Sequence, residues 1–494
     1  MAKRYYTLPV KEAAFPLLSS DAPRSVMQNS EGAGAGIETP GVIYCHNVVP
    51  TVTGLDSVGF LQVIPPYSPV TSFFSDTRII YGSNRSRISV AFATDGSVYV
   101  IKKGIAFWRK VNLTAPANSE DITVGTVNGI SYLFFKGSGC YTYSEASGEF
   151  IPVTLTGLSI PDIIGVTSSY GYLIAYTRNT IAWSSLIDPT DFVPSLTTGA
   201  GGGSVADIDG DIRFILPNSL GMLIYSYANV VAGTYTGNSK YPFKYRGVDG
   251  GKGGLSLDAT AYEANFTGQF VYTKAGLQVV DSQKAEVILP EVTDFLAGTV
   301  FEDFDEVTKA FTTTNLTSSM LKKVKFIASR YLVISYGITS FTHALIYDVA
   351  LKRLGKIKLT HVDSFEYIAD QEEVSKESIA FLLNSGEVFV LDFSPDSNAS
   401  GVIIFGKLQY TRSRLITLYN VDIENVKPGD FVSVSSLVSR DGKTTSEYAG
   451  YELAANGELR TFGFRVTGVN HSILVIGRFS INTLYITYTL AGRR

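Results

Sequence analysis

The chain has 494 residues, a formal net charge of −4, 17% charged residues and 45% apolar residues. With no basic excess it lacks the electrostatic footprint of a dedicated nucleic-acid binder. Its two cysteines, Cys45 and Cys140, exclude a disulfide framework. No charge-free run of about 18 apolar residues occurs, and the opening MAKRYY has no apolar signal region, so a soluble, non-secreted chain without a membrane span is expected. The charged fraction lies below the roughly 25% usual in soluble domains. That deficit predicts burial of surface between subunits of a permanent assembly.

In chain order, residues 1–60 are rich in Pro, Ser, Ala and Gly, with SEGAGAGIETPG at 30–41, and read as an extended N-terminal arm with first strands. Residues 61–400 carry a recurring strand-turn-strand unit. It starts at Phe92 (FATDGSVYVIKKGIAFW), Gly129 (GISYLFFKGSGCYTYS), Ser169 (SYGYLIAYTRNTIAWSS), Asn218 (NSLGMLIYSYANVVAG), Thr267 (TGQFVYTKAGLQVVDS), Ala328 (ASRYLVISYGITSFTHALIYDV) and Glu377 (ESIAFLLNSGEVFVLDF). The intervals are 37, 40, 49, 49, 61 and 49 residues. Self-similarity at this period, with each unit an antiparallel meander, predicts an all-β chain containing a β-propeller of five to seven blades. Asp95-Gly96, Asn128-Gly129 and Gly276 stand where the hairpins reverse, because Gly, Asn and Asp accept positive φ cheaply.

The pattern stops near residue 401. Residues 401–494 alternate in segments such as LITLYNVDI (415–423), SILVI (472–476) and LYITYTL (484–490), and read as a C-terminal β-sandwich or platform domain. Helix signals are confined to residues 308–313 and 370–378.

Several segments invite a chemical reading. IAWSSLIDPTDFVPSLTTGAGGGS (181–204) contains Ser184 and Ser185, but neither sits in the strained Gly-x-Ser-x-Gly turn of a hydrolase. The four histidines, His46, His343, His361 and His471, have no telling neighbours. Gly199, Gly201, Gly202 and Gly203 lack the dinucleotide spacing and a following helix. Gly250, Gly251, Gly253 and Gly254 surround Lys252, yet Gly253 stands where a phosphate loop needs Ser or Thr. Both stretches are expected to be flexible loops, candidates for a gate or a subunit contact.

Asp207, Asp209 and Asp211 alternate like oxygen ligands of a calcium loop, but Ile212 and Asn218 occupy the positions of its glycine and bidentate acid. They are a weak cation candidate against a plain turn through Asp209-Gly210. The acidic run EDFDE (302–306) offers paired carboxylates for glycoside hydrolysis, against an ordinary solvated or channel-facing loop. Zinc spacing is absent. Alternating aromatics, as at 132–135 and at Tyr225 and Tyr227, suit sugar or base stacking and suit strand packing better. No catalytic residue, cofactor or metal centre is expected.

Trp183-Ser184, then Asp188-Pro189, Phe192, a glycine-rich connection and Asp209-Gly210-Asp211-Ile212 form an ordered signature. With GLDSVGFLQ at 54–62, HALIYD at 343–348, and Arg465 and Arg478 in the closing domain, it resembles the tail hub or nozzle family of short-tailed bacteriophages, also called packaged-DNA stabilisation proteins. The resemblance implies a non-enzymatic virion protein, made in the host cytoplasm and placed in the tail. It implies six copies in a ring below the portal and its head-to-tail adaptor, carrying fibres or tailspikes, with genomic DNA passing through the lumen without sequence-specific binding. An acidic wall suits such a conduit, because phosphate-neutralising cations would bind DNA and retard it. A receptor- or carbohydrate-binding tail propeller, with or without cleavage, is the alternative.

Overall fold

The computed structural model describes residues 3–9, 25–26, 42–52, 54–68, 72–102, 105, 107–263, 266–368, 377–392, 400–406, 408–409, 414–424, 431–440, 445–456 and 459–493. Its propeller has seven blades, each an antiparallel meander. Blade one runs Phe74–Tyr81, Arg87–Ala93, Ser97–Lys102 and Arg109–Thr114. Blade two runs Ile122–Val127, Ile130–Phe135, Gly139–Ser144 and Glu149–Val153. Blades three, four and five open at Gly165–Ser169, Phe214–Asn218 and Thr260–Ala261, and each has four strands. Blade six runs Leu321–Ile327, Tyr331–Gly337, Phe341–Asp348 and Arg353–His361. Blade seven takes three strands from Asp363–Ile368, Glu377–Leu382 and Val388–Asp392, and its outermost strand is Gly59–Ile64 from the other end of the chain. Such a non-local strand closes the ring and removes an open edge.

The repeat seen in sequence is the middle hairpin of each blade. Asn128 (φ 52°) and Gly129 (φ 77°) form the two-residue reversal that pairs Val127 with Ile130, the left-handed pair favoured by hairpin twist. In blade one the Asp95 carboxylate accepts from Ser97 N at 2.8 Å while Gly96 takes φ 81°. These middle strands are apolar on both faces because each blade is sandwiched between two others. Leu133 and Phe135 pack with Ile80, Val90 and Val100 of blade one, while Phe134 and Cys140 pack with Val166 and Leu173 of blade three. Seven such cores fill the seven blade junctions. The charge-poor composition therefore has a source inside a single chain, and does not require subunit burial to explain it.

The long interval before blade six holds a helix, Pro290–Ala297, and a hairpin, Val300–Asp305 with Ala310–Asn315. Pro290 presets the first helical turn, and Val292 and Leu296, four apart on one face, are fully buried. The helix expected at 308–313 is instead the return strand of that hairpin. Thr312, Thr313 and Thr314 are β-branched and cross-strand pairing overrides the local signal. Of the helix expected at 370–378, residues 370–376 lie outside the described residues, and Glu377 opens a strand.

The closing unit is a two-sheet sandwich. One sheet orders Arg4–Pro9, Thr483–Arg493, Arg414–Ile423, Leu459–Gly468 and Tyr451–Asn456. The other is built on Val42–His46, Gly401–Phe405, Asn470–Gly477, Val432–Ser439 and Thr445–Ala449. Ile403, Leu418, Phe464 and Val475 fill the space between them. The N-terminal arm is thus woven into the sandwich. Val48–Pro50, Leu55–Ser57 and Ser480–Ile481 extend the sheet of blade six, and their Val48, Leu55 and Ile481 pack in the sandwich core. No helix among the described residues is long and apolar enough to cross a membrane.

Candidate functional site

First strands of propeller blades line the central axis, and here that axis holds a cavity of about 280 Å³ bordered by Thr77, Thr126, Ser168, Pro217, Ile327 and Ser364, and a smaller one. The smaller, of about 130 Å³, is lined by Val124, Val166, Ile215, Ala261 and Val324 from five successive first strands together with Arg78. Beside it lies a buried network of three carboxylates and three cations. Asp76 meets Arg78 Nη1 and Lys323 Nζ, each at 2.5 Å. Asp363 meets Lys323 at 3.2 Å and Lys325 at 3.5 Å, and accepts from Thr77 N at 2.9 Å and Thr77 Oγ1 at 2.7 Å. Asp258 accepts from Ser119 Oγ at 2.7 Å and lies 3.9 Å from Lys323.

Burial raises the Asp76 carboxyl, but Arg78 and Lys323 outweigh it and hold the group far below the usual carboxylate range. Lys323, facing three carboxylates, stays above the ordinary lysine value against its desolvation. Lys325 has only Asp363 close by, and burial pulls it down. Three carboxylates face three cations, so the charges of the cluster balance. It joins blades one, six and seven to the segments entering blades two and five, and its Arg78 and Lys325 border both axial cavities.

The segment 181–204 belongs to blade three. Ser184 and Ser185 are both fully buried. Ser184 Oγ accepts from Leu173 N at 3.0 Å and donates to Ser185 O at 3.1 Å. Ser185 Oγ accepts from Ile187 N at 3.0 Å and Asp188 N at 3.3 Å. No histidine approaches them: His46 pairs with Tyr44 and Glu306, His343 lies by Thr342 and Asp303, His361 bonds Leu359 O and Ser335, and His471 bonds Ser436 and Ile416 O. Asp188 Oδ1 accepts from Thr190 N at 2.9 Å, the turn that Asp-Pro favours.

The glycine stretch, expected as a loop, corrects to structure. Gly201–Ser204 is the outermost strand of blade three, pairing Trp183 with Gly201. The Trp183 ring lies over it: its Nε1 donates to Gly199 O at 3.0 Å, and a Cβ on Gly201 would stand 3.0 Å from the ring. Indole packing is what requires glycine there. Gly250, Gly251, Gly253 and Gly254 are equally committed. Asp249 bridges Lys284 of blade five, Gly253 takes φ 75° with room for no Cβ (2.5 Å from Ser226 O), and a Cβ on Gly254 would lie 2.4 Å from the Phe214 ring. Gly202 faces Ile181 O, and only Gly203 meets open space.

Asp207, Asp209 and Asp211 lie exposed on a turn, with Asp207 at φ 67°. Asp209 N donates to Asn229 Oδ1 and Asn229 Nδ2 to Asp207 O, so Asn229 ties the turn. Among the described residues no group of three or more His, Cys, Asp or Glu is placed to hold a metal ion.

The acidic run 302–306 corrects most. It forms the first strand of the inserted hairpin, and Asp303 anchors that hairpin to both neighbours. It accepts from Tyr44 Oη of the sandwich at 2.7 Å and from Lys358 Nζ of blade six at 2.6 Å, with His343 Nε2 3.5 Å away. Glu306 pairs with His46 at 2.5 Å. Burial raises Asp303, but His343, Lys358 and Tyr44 together hold it well below the carboxylate range. Asp305 and Glu306 are lowered too. A glycoside hydrolase acid needs a raised value, which none of these three has.

Beneath the hairpin, burial pushes Lys356 down to about 8 and His343 down to about 4, and Lys356 Nζ sits 4.6 Å above the Tyr44 ring. An open cleft of about 640 Å³ borders Asp303, His343, Thr342, Lys358 and Thr360. Sequence reading missed this junction, whose only local signal is Lys356 and Lys358 alternating in an apolar strand.

No family model matches the chain, and no curated protein matches it. Among solved structures the chain is similar to the WD40 β-propeller domain of Doa1, at 9% sequence identity and a TM-score of 0.38, covering 69% of this chain and 98% of that chain.

Proposed function

We propose that the protein is a non-enzymatic structural subunit of a ring-shaped phage tail nozzle, which extends the DNA channel below the portal and adaptor and holds it shut until ejection. The observation that carries this reading is the extension of blade six by short strands whose Val48, Leu55 and Ile481 pack in the sandwich core, which ties the two parts together, while the ion network spans the propeller's own axis. In this reading the DNA conduit lies between copies, because side chains and the ion network occupy much of the propeller's own axis. The sequence resemblance supplies the setting, a ring of six with fibres or tailspikes attached. An acidic chain suits a wall past which DNA slides. Because the glycine stretches at 199–203 and 250–254 are packed, the gate falls to other segments or to movement of whole subunits.

Native mass spectrometry and negative-stain imaging of the purified protein test this. A closed ring with a central bore supports it, and a monomer at tens of micromolar overturns it. The cleft beside Asp303 and His343 gives the alternative, a glycan-binding tail component, its one specific observation. Binding of host-surface polysaccharide by a monomer or trimer would favour that reading.

A further inference from the structure

We propose that the cavity on the propeller axis is a binding site for a small, singly charged carboxylate with an apolar body, held by Lys325 and Ser364. This site does not depend on the ring reading and is tested apart from it. It comprises the two axial cavities, of about 280 and 130 Å³, which share Arg78, Val124, Tyr262, Lys325 and Phe326 as wall. Lys325 and Glu366, on the wall of the larger one, keep 24% and 19% of their side chains exposed, so that cavity opens to solvent on their side.

Two groups on this wall lack an adequate partner. Asp363 lies beside Lys325 but has no acceptor position left for it, since a carboxylate offers about four lone-pair sites. Its Oδ2 accepts from Thr77 N at 2.9 Å and Thr77 Oγ1 at 2.7 Å, and its Oδ1 accepts from Ser364 N at 2.9 Å and meets Lys323 at 3.2 Å. Lys325 Nζ is left 3.5 Å from Oδ2, too far for a good charge-assisted hydrogen bond. An ammonium largely withdrawn from water without a close acceptor is costly. Ser364 Oγ is the second group: it is buried, borders the larger cavity, and has no hydrogen-bond partner among the described residues. Both residues adjoin Asp363, one by its backbone N–H and the other by its ammonium, which places them on one wall.

The other charges set the ligand's charge. Arg78, Lys325, Asp258 and Glu366 line the cavities, and Asp76, Asp363, Lys323 and Arg87 stand directly behind them, so both signs are equally represented. Each of these acids has a partner at 2.7 Å or closer: Asp76 has Arg78 and Lys323, Asp258 has Ser119, Glu366 has Arg87 and Asp363 has Thr77. Further out, Glu120 pairs with Arg213 at 3.5 Å. One ammonium is thus poorly answered, which calls for one negative charge, whereas a dianion would overcharge a balanced wall. Ile79, Val124, Pro217, Phe326 and Ile327 offer an apolar bed for the rest of the molecule. Mostly apolar walls with a few placed polar groups are the usual make-up of a small-molecule site, and this one falls near the lower bound of about 300 Å³ for such pockets.

Isothermal titration of the full chain with benzoate, benzyl alcohol and inorganic phosphate tests this, with thermal midpoints checking that each variant is folded. Benzoate should bind, and benzyl alcohol, which keeps the ring and lacks the charge, should bind at least about tenfold more weakly. Lys325→Met should weaken benzoate by about tenfold or more, and Ser364→Ala by about fivefold. Both variants should fold, because Asp363 keeps Thr77, Ser364 N and Lys323, and the Ser364 hydroxyl holds nothing in the free protein. A tripeptide ending in phenylalanine that displaces benzoate would assign the carboxylate to a chain end, and failure to displace it would assign a free acid. Equal affinity for benzoate and benzyl alcohol, a preference for phosphate, unchanged binding in both folded variants, or no binding at millimolar benzoate would each overturn the proposal, the last leaving the cavity to water alone.

Discussion

Replacing Asp363 with alanine removes the most enclosed carboxylate of the axial network, at 0% exposure. Two cations, Lys323 at 3.2 Å and Lys325 at 3.5 Å, lose a counter-charge, and Thr77 N, Thr77 Oγ1 and Ser364 N lose their acceptor. Breaking a buried pair by deleting one partner costs about 3–5 kcal/mol, and stranded donors add roughly 1–3 kcal/mol each where water cannot reach. The neighbouring cavity of about 130 Å³ admits some water, so we expect the lower end of that sum, about 6 kcal/mol. Urea unfolding followed by tryptophan fluorescence reads it, since Trp108 and Trp183 sit in blades one and three. Asp363→Asn, which keeps an acceptor oxygen, should cost about half as much. Asp363→Leu combined with Lys323→Met should recover only part of the loss, because Lys325 and the Thr77 donors stay without Asp363 and Asp76 keeps only Arg78. A loss under about 1 kcal/mol for Asp363→Ala would show that the network does not hold the ring of blades together.

Acid should weaken the fold through its buried histidines. Burial holds His343, His361 and His471 near 4, below the ordinary 6.5. The unfolded chain then binds more protons between these values, so this stability is present above pH 6.5 and is lost as pH falls toward 4. Each contributes on the order of 3 kcal/mol at full loss, and a urea midpoint unchanged between pH 7 and pH 4.5 would contradict it. Gly253→Ala, forced to φ 75° against Ser226 O, should cost about 2 kcal/mol or more, while Gly203→Ala should stay within about 0.5 kcal/mol by thermal melting. Ser184→Ala strands Leu173 N and should cost about 1–2 kcal/mol in the same assay. Cys45 and Cys140, buried and pushed up to about 12, should resist a thiol reagent at pH 8 until the chain unfolds.

Local chemistry wrote the middle hairpin of each blade into the sequence. Turn residues such as Asp95-Gly96 and two-faced apolar strands such as ISYLFF are periodic signals that need no distant partner. From these alone the all-β class and the propeller could be read, and the same logic stripped Ser184 of a catalytic role. Short first strands such as Thr260–Ala261 were illegible, because their side chains are chosen by the axis they face. The closure of blade seven by Gly59–Ile64, the weaving of Arg4–Pro9 into the sandwich, and the anchoring of Asp303 by Tyr44 and Lys358 each join residues far apart in the chain. No neighbouring residue announces such a pairing. The free energy that selects it is released only when two remote segments meet, which is why EDFDE read as a solvated loop and folded with Phe304 buried and Asp303, half-buried, as an anchor.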